Sequence, residues 1–240
     1  MIEQSAHTES AAPVLWHELP RAAFDLETTG TDPESARIVT ASVIIVNGRS
    51  EIVHHREWLV DPGVEIPPAA SEVHGVTTER ARAEGLPALE AVGEIARHLT
   101  DLFATMPVLA FNACYDFTVL NREAARHGHG LLDPAPVIDP LVLDRRVERY
   151  RRGKRTLTAL AEYYRVPLSN AHTSLADAAA TIGVADAQVT RYRELQIDPL
   201  ELHAAQVNWH SAWAEDFQRF LRGRDPLATV DGVWPHKPAL

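Results

Sequence analysis

Cysteine is all but absent: Cys114 is the only one in 240 residues, so no internal disulfide can form and a disulfide-stapled fold is excluded. Long apolar runs are missing as well. Nothing approaches the roughly 18–20 consecutive apolar residues of a membrane span, so no membrane partner is expected. The opening MIEQSAHTES is acidic and polar and lacks the basic and apolar regions of a secretory signal. The expected location is cytoplasmic. Lysine is scarce too, since of 23 basic residues only Lys154 and Lys237 are lysines. That bias carries no mechanism. No internal repeat is present, which excludes solenoids and propellers.

What is present is ordinary for a globular protein: 45% hydrophobic and 23% charged residues. The length suits one α/β domain with an extension. Acidic residues outnumber basic ones by 33 to 23, a net charge of −10. Such a balance argues against a protein that coats long duplexes. One stretch runs the other way. Arg145 to Arg155 carries seven cations against the single anion Glu148, a local +6. A protein gripping a few terminal nucleotides needs only such a patch; the alternative is a solvated helix end and loop.

Period and punctuation divide the chain. Arg21 to Glu27 reads as a short buried strand, Arg37 to Asn47 as a β-branched strand, and Glu51 to Val60 as its return after the Asn47-Gly48 turn. Pro62, Pro67 and Pro68 mark a loop, with a short helical stretch around Thr77 to Ala83. Helices are expected over 87–104, 114–127, 140–149, 156–164 and 174–195, with short strands at 107–111 and 137–139. Three antiparallel strands followed by alternating helices and strands give a mixed sheet covered on both faces.

Three places concentrate chemistry. In Phe24-Asp25-Leu26-Glu27-Thr28-Thr29-Gly30, alternation along a strand puts Asp25 and Glu27 on one face, roughly 7 Å apart. Two such carboxylates repel unless cations bind between them, and hard oxygen ligands suit Mg²⁺ or Mn²⁺. Asn112-Ala113-Cys114-Tyr115-Asp116 follows an apolar strand and sets Asp116 in the first turn of a helix, where the dipole favours an anion. His172-Thr173-Ser174-Leu175-Ala176-Asp177 places a histidine just before a helix and an aspartate just over one turn inside it. An imidazole titrates near neutrality and can accept a proton at cellular pH. Taken singly, each has a bland reading as a strand end or a helix cap.

As an ordered set, these motifs closely resemble those of the DEDDh family of 3′→5′ exonucleases. Val73-His74-Gly75-Val76-Thr77 and Ile138-Asp139-Pro140-Leu141 resemble two further family segments. The likeness covers about residues 20–190 and is strongest to epsilon proofreading subunits of bacterial DNA polymerase III and their stand-alone relatives. Phe111 and Tyr115 depart from the family's usual histidine and phenylalanine, and neither touches the carboxylates. The resemblance implies an α/β, ribonuclease H-like mixed five-stranded sheet flanked by helices, with a C-terminal helical extension. It places the acidic site at the sheet edge formed by strands one and four.

By the same resemblance Asp25, Glu27 and Asp177 hold one Mg²⁺, and Asp25 shares a second ion with Asp116, which acts through water; Mn²⁺ can substitute. His172 is the general base. Thr28, Thr29, His74, Asn112 and Tyr115 are the implied substrate contacts, and the partner is a single-stranded nucleic-acid 3′ end, with a DNA polymerase subunit as a further candidate. Alternatives stay open: an oligoribonuclease or ribonuclease T-like RNA trimmer, a phosphatase on small nucleotides, or a non-catalytic 3′-end binder or scaffold subunit. Beyond the family core, Asp198-Pro199 reads as a helix start, and Trp209, Trp213, Phe217, Phe220 and Leu221 form an aromatic stripe expected to pack on the domain. The expected division is a flexible tail over 1–18, an exonuclease domain over 19–195, a packed helix over 196–222 and an irregular tail over 223–240.

Overall fold

The computed structural model describes residues 14–168 and 173–238. Its sheet begins with β1 (Arg21–Thr28), β2 (Ile38–Val46) and β3 (Ile52–Asp61), which pair antiparallel in that order. Val46 faces Ile52 across the β2–β3 turn, where Asn47 Oδ1 accepts from the amides of Arg49 and Glu51. The left-handed residue there is Ser50, with φ 64°, and not Gly48. Glycine serves Gly48 differently: a Cβ would collide with the Glu18 carbonyl oxygen at 2.3 Å.

Next come helices α1 (Pro68–His74) and α2 (Thr78–Glu84), then β4 (Leu86–Pro87) and helix α3 (Ala88–Phe103). Strand β5 (Val108–Leu109) leads to α4 (Ala113–Arg126), and β6 (Val137–Ile138) to α5 (Pro140–Val147). Helices α6 (Leu157–Tyr164), α7 (Ser174–Arg191) and α8 (Pro199–Arg222) complete the chain. Strand order is β4-β3-β2-β1-β5-β6, with β5 and β6 parallel to β1 and β4 parallel to β3. The sheet therefore has six strands, not five. The extra strand, β4, is two residues long and ends on the proline that caps α3, so it carries no alternation to read. Helix α1 likewise replaces part of the expected loop, because Pro68 sits in its first turn, where proline is tolerated.

Alternation along β1 decides what each face receives. Ala22, Phe24 and Leu26 enter one core with Ile95 and Leu99 of α3 and Phe117 and Leu120 of α4. Ala23 enters the opposite core with Ala178, Ile182 and Ala185 of α7. Asp25 and Glu27 continue the Ala23 side toward the strand's carboxyl end. Because β1 and β5 are interior strands, the acidic residues lie at a strand end and not along a lateral edge.

The lateral edge at β6 is covered by α8. Gln206 accepts from the Asp139 amide and donates to the Val137 carbonyl, at 2.8 and 2.9 Å, while His203 Nδ1 accepts from the Val137 amide at 3.0 Å. These side chains satisfy backbone groups that an open edge would leave bare. Order extends on both sides of residues 19–222. Trp16 is fully buried and donates to the Leu195 carbonyl at 2.8 Å, and Trp234 is buried against the α3–α4 core. Among the described residues, no helix is long and apolar enough to cross a membrane.

Candidate active site

Asp25 and Glu27 on β1 and Asp177 in the first turn of α7 converge, and one carboxylate oxygen from each lies within 4.8 Å of the others. Two hydroxyl contacts seat the start of α7 there: Ser174 Oγ meets Ser42 Oγ of β2 at 2.6 Å and Thr40 at 3.3 Å. Thr173 caps the helix by accepting from the Ala176 amide. His172 lies outside the described residues.

The carboxylates are electrostatically strained. Burial, followed by the charges of Asp116, Asp177 and Glu27, raises the Asp25 carboxyl well above the ordinary range. Burial and Asp177 push Glu27 up to about 7. Asp116 is nearly fully buried on α4, beside the close triad, and burial raises it despite a hydrogen bond from the Leu26 amide at 3.1 Å. Among the described residues, no cation is a cause of these shifts. Anionic oxygen donors in such a self-repelling set fit a divalent metal ion.

A cavity of about 670 Å³ opens beside the triad, and Glu27, Thr28, Thr29, His74, Asn112 and Tyr115 are among its walls. The size suits a nucleotide. The hydroxyls of Thr28 and Thr29 brace their own loop. Thr28 donates to the Gly30 carbonyl, and Thr29 exchanges hydrogen bonds with Arg37. The Tyr115 hydroxyl joins Thr28 and Gly30, clasping this loop to α4. His74 closes the far wall at the end of α1, with Nδ1 accepting from the Val76 amide at 3.2 Å. Burial lowers its pKa, opposed by a hydrogen bond to the Thr28 backbone. Asn112 adopts the left-handed conformation at φ 61°, which asparagine tolerates, and turns the chain from β5 into α4.

Asp139 holds that turn. Its buried carboxylate accepts from the amides of Asn112, Ala113 and Leu141 and from the Trp234 indole, the last at 3.3 Å. Sequence reading marked Asp139 only through the family likeness, and it did not find Gln206, His203 or Trp234. Polar residues on the buried stripe of α8, such as Gln206 between Leu202 and Trp209, are the one local hint of edge-capping.

The cationic stretch divides in two. Arg151 and Arg155 are spent on Asp144, whose carboxylate is fully buried, so they do not reach out to a ligand. Arg145 and Arg146 instead lie over Trp213 and Trp209 of α8, with 3.4 and 5.3 Å from guanidinium carbon to ring centroid. The aromatic stripe also departs from its expected packing. Leu202, Gln206 and Ala214 are buried, whereas Phe217 is 39% and Phe220 60% exposed. At about 100° per residue the phenylalanines share the face of Leu202, which packs against β6 and α5.

The family model described as Exonuclease (RNase T) matches residues 22–185. The chain is 33% identical over 162 residues to a DNA polymerase III subunit epsilon-like protein of Rhodobacter capsulatus, across 66% of this chain and 22% of that one. It is 24% identical over 177 residues to the 3′-5′ exonuclease DinG of Staphylococcus epidermidis, covering 74% and 19%. The matched region thus spans less than a quarter of these curated relatives. Among solved structures, exonuclease I superimposes with a TM-score of 0.65 at 23% identity, over 74% of this chain and 42% of that one. Escherichia coli exonuclease I in complex with a dA16 oligonucleotide gives 0.63 at 22% identity, over 74% and 42%. The shared feature is the ribonuclease H-like fold.

Proposed function

The chain belongs to this exonuclease family, and from that membership we propose that it hydrolyses the terminal phosphodiester of single-stranded DNA in the 3′→5′ direction, releasing 5′-mononucleotides. The observation that carries the reading is the convergence of three carboxylate oxygens within 4.8 Å beside a nucleotide-sized cavity.

Asp25, Glu27 and Asp177 would hold a Mg²⁺ ion, with Mn²⁺ as a substitute, and Asp25 with the adjacent Asp116 would serve a second ion. When bound, such a pair supplies Lewis-acid stabilisation of the entering and leaving oxygens in an in-line displacement. The cavity walls orient the terminal nucleotide: Thr28, Thr29 and Asn112 on its sugar and phosphate side, His74 and Tyr115 toward its base. His172 is assigned as general base and takes a proton from the attacking water. Oxygen attacks phosphorus, the bond to the 3′ oxygen breaks, and that oxygen is protonated as the shortened strand leaves. Likeness to the DNA polymerase III subunit epsilon-like protein supports a place in proofreading or repair beside a polymerase.

The test uses 5′-labelled single-stranded DNA and RNA with Mg²⁺ or EDTA. Stepwise shortening of DNA that stops in EDTA is expected. Preferred cleavage of RNA would favour the trimming alternative, and binding without cleavage of either would favour a 3′-end binder.

A further inference from the structure

The nucleotide-sized cavity does not end at Asn112 and Tyr115. Both residues also line a neighbouring cavity of about 240 Å³, whose other walls include Arg145 and Trp213. Arg145 and Trp213 in turn line a small pocket of about 110 Å³ with Arg146 and Arg149. Through these shared walls the three cavities adjoin in a groove-like row from the carboxylate side to the middle of α8, with Asp231 and Asp216 also in its lining.

Its lining changes character along the way. The Arg145 guanidinium carbon lies 3.4 Å from the Trp213 ring centroid, and among the described residues its side chain makes no ion pair and no hydrogen bond. Burial lowers its guanidinium to about 10, opposed by the charges of Asp139 and Asp144 and aided by that of Arg155. A guanidinium stacked on one face and free at its edge is an anion-binding fork. Arg149 lies near the Tyr150 ring at 5.7 Å and pairs with Asp216, an exposed pair of little worth that a phosphate can replace. Past this pocket the rings continue. Phe217 stacks on Trp213 at 5.4 Å and 16°, and Phe220 on Phe217 at 6.3 Å and 13°. From Trp213 to Phe220 the helix rises about 10 Å. The two phenylalanines are 39% and 60% exposed, and Arg224 lies over the Phe220 ring at 5.5 Å.

We propose that this groove and the exposed rings of α8 form a track for the single strand upstream of the scissile 3′ end, with phosphates on Arg145 and Arg149 and bases on Phe217 and Phe220. The proposal rests on the exonuclease reading for the identity of the strand. Two observations select nucleic acid over a protein partner. The surface is continuous with the nucleotide cavity, and it combines guanidinium groups with aromatic faces, as a ligand of alternating phosphates and bases requires. An apolar protein helix seated here would bury the Arg145 guanidinium with no anion to meet it.

The track makes affinity depend on strand length. Binding of fluorescent oligothymidylates of three and twelve nucleotides is measured in EDTA, and their cleavage in Mg²⁺, for wild type, the Phe217→Ala/Phe220→Ala double variant and Arg149→Gln. The 12-mer is expected to lose at least about tenfold in affinity in the double variant. KM should rise in step and kcat should not change, and the 3-mer and the melting temperature should stay at wild-type values. Arg149→Gln should chiefly flatten the salt dependence of 12-mer binding. Wild-type affinity of both variants for the 12-mer overturns the proposal. So does unchanged 12-mer affinity combined with loss of self-association in the double variant, which would make the rings a protein contact. If wild type binds the 12-mer in a ring-dependent way yet cleaves neither DNA nor RNA, the exonuclease reading falls and the track stands. If it binds neither length, both fall.

Discussion

The Asp116 carboxylate accepts the backbone N–H of Leu26 at 3.1 Å, so the first turn of α4 is tied to β1 at the residue between Asp25 and Glu27. One aspartate thereby serves two purposes: it adds a buried negative charge to the site, and it sets the distance between the two elements that carry the charges. Substitution separates them. Asp116→Asn keeps an oxygen for the Leu26 amide and removes the charge, so folding stability should hold or rise while nuclease activity collapses. Asp116→Ala leaves a buried N–H without a partner and should cost about 1–3 kcal/mol. Thermal melts and activity assays on both variants check this. Equal melting temperatures would mean that the hydrogen bond does not position α4.

Raised carboxyl pKa values make the metal-free protein sensitive to pH. Glu27 titrates at about 7 when folded, against an ordinary value of 4.5, and Asp25 and Asp116 are raised as well. A folded-state pKa above the unfolded one means that the folded chain binds the proton more tightly. The stabilisation is complete below about 4.5 and is lost as pH rises through about 7. In EDTA, denaturant melts should therefore show stability falling between pH 5 and pH 8, beyond what Glu27→Gln shows. Mg²⁺ should raise the melting temperature more at pH 8 than at pH 6, because the ion requires the ionised carboxylates. A Mg²⁺ effect independent of pH would remove the carboxylate cluster as the metal site.

The acidic pair was legible because a strand has period two: Asp25 and Glu27 had to share a face wherever β1 lay. Asp116 was marked by its place in a helix's first turn and Asp177 by its spacing after His172 at a helix start, and joining them to the pair needed the family likeness, since the contacts cross 90 residues or more. Other features left no local trace. Gln206 and Trp234 act on β6 and Asp139 from 67 to 95 residues away. No periodicity reports an edge strand's need for donors. Arg151 and Arg155 misled for a different reason. A charge count does not show which cations point inward, and the buried partner Asp144 precedes the stretch by one residue.

The long-range ties of the C-terminal segment give a sharper expectation. Trp234 is buried and donates to the carboxylate that holds the β5–α4 turn. Trp234→Ala should destabilise by about 3–5 kcal/mol, and Trp234→Phe, which removes the donor and part of the ring but keeps an aromatic side chain, by less. Truncation after Leu195 removes Trp234 and also Gln206, uncovering the β6 edge. That protein should aggregate or melt far lower although Asp25, Glu27, Asp116 and Asp177 remain. An unchanged melting temperature in Trp234→Ala would show that the segment is an appendage.

The Asp144 cluster yields the last expectation, which separates structural arginines from ligand-binding ones. The Asp144 carboxylate is fully buried, pairs with Arg151 at 3.0 Å and with Arg155 at closer range, and also accepts from Tyr164. Arg155 further donates to the carbonyls of Asp144 and Glu148, closing the loop after α5. Removing one member of such a set leaves a buried charge without its counter-charge, which costs about 3–5 kcal/mol. Asp144→Ala should therefore lower the melting temperature by many degrees. Arg155→Gln should lower it less, because Arg151 still answers the carboxylate. Neither change should alter the salt dependence of KM for a long strand, which would follow Arg145 and Arg149 instead. Suppose Arg155→Gln melts at the wild-type temperature while its KM rises and loses salt dependence. Arg155 would then be a phosphate contact, and the division of the cationic stretch drawn from the Asp144 ion pairs would be wrong.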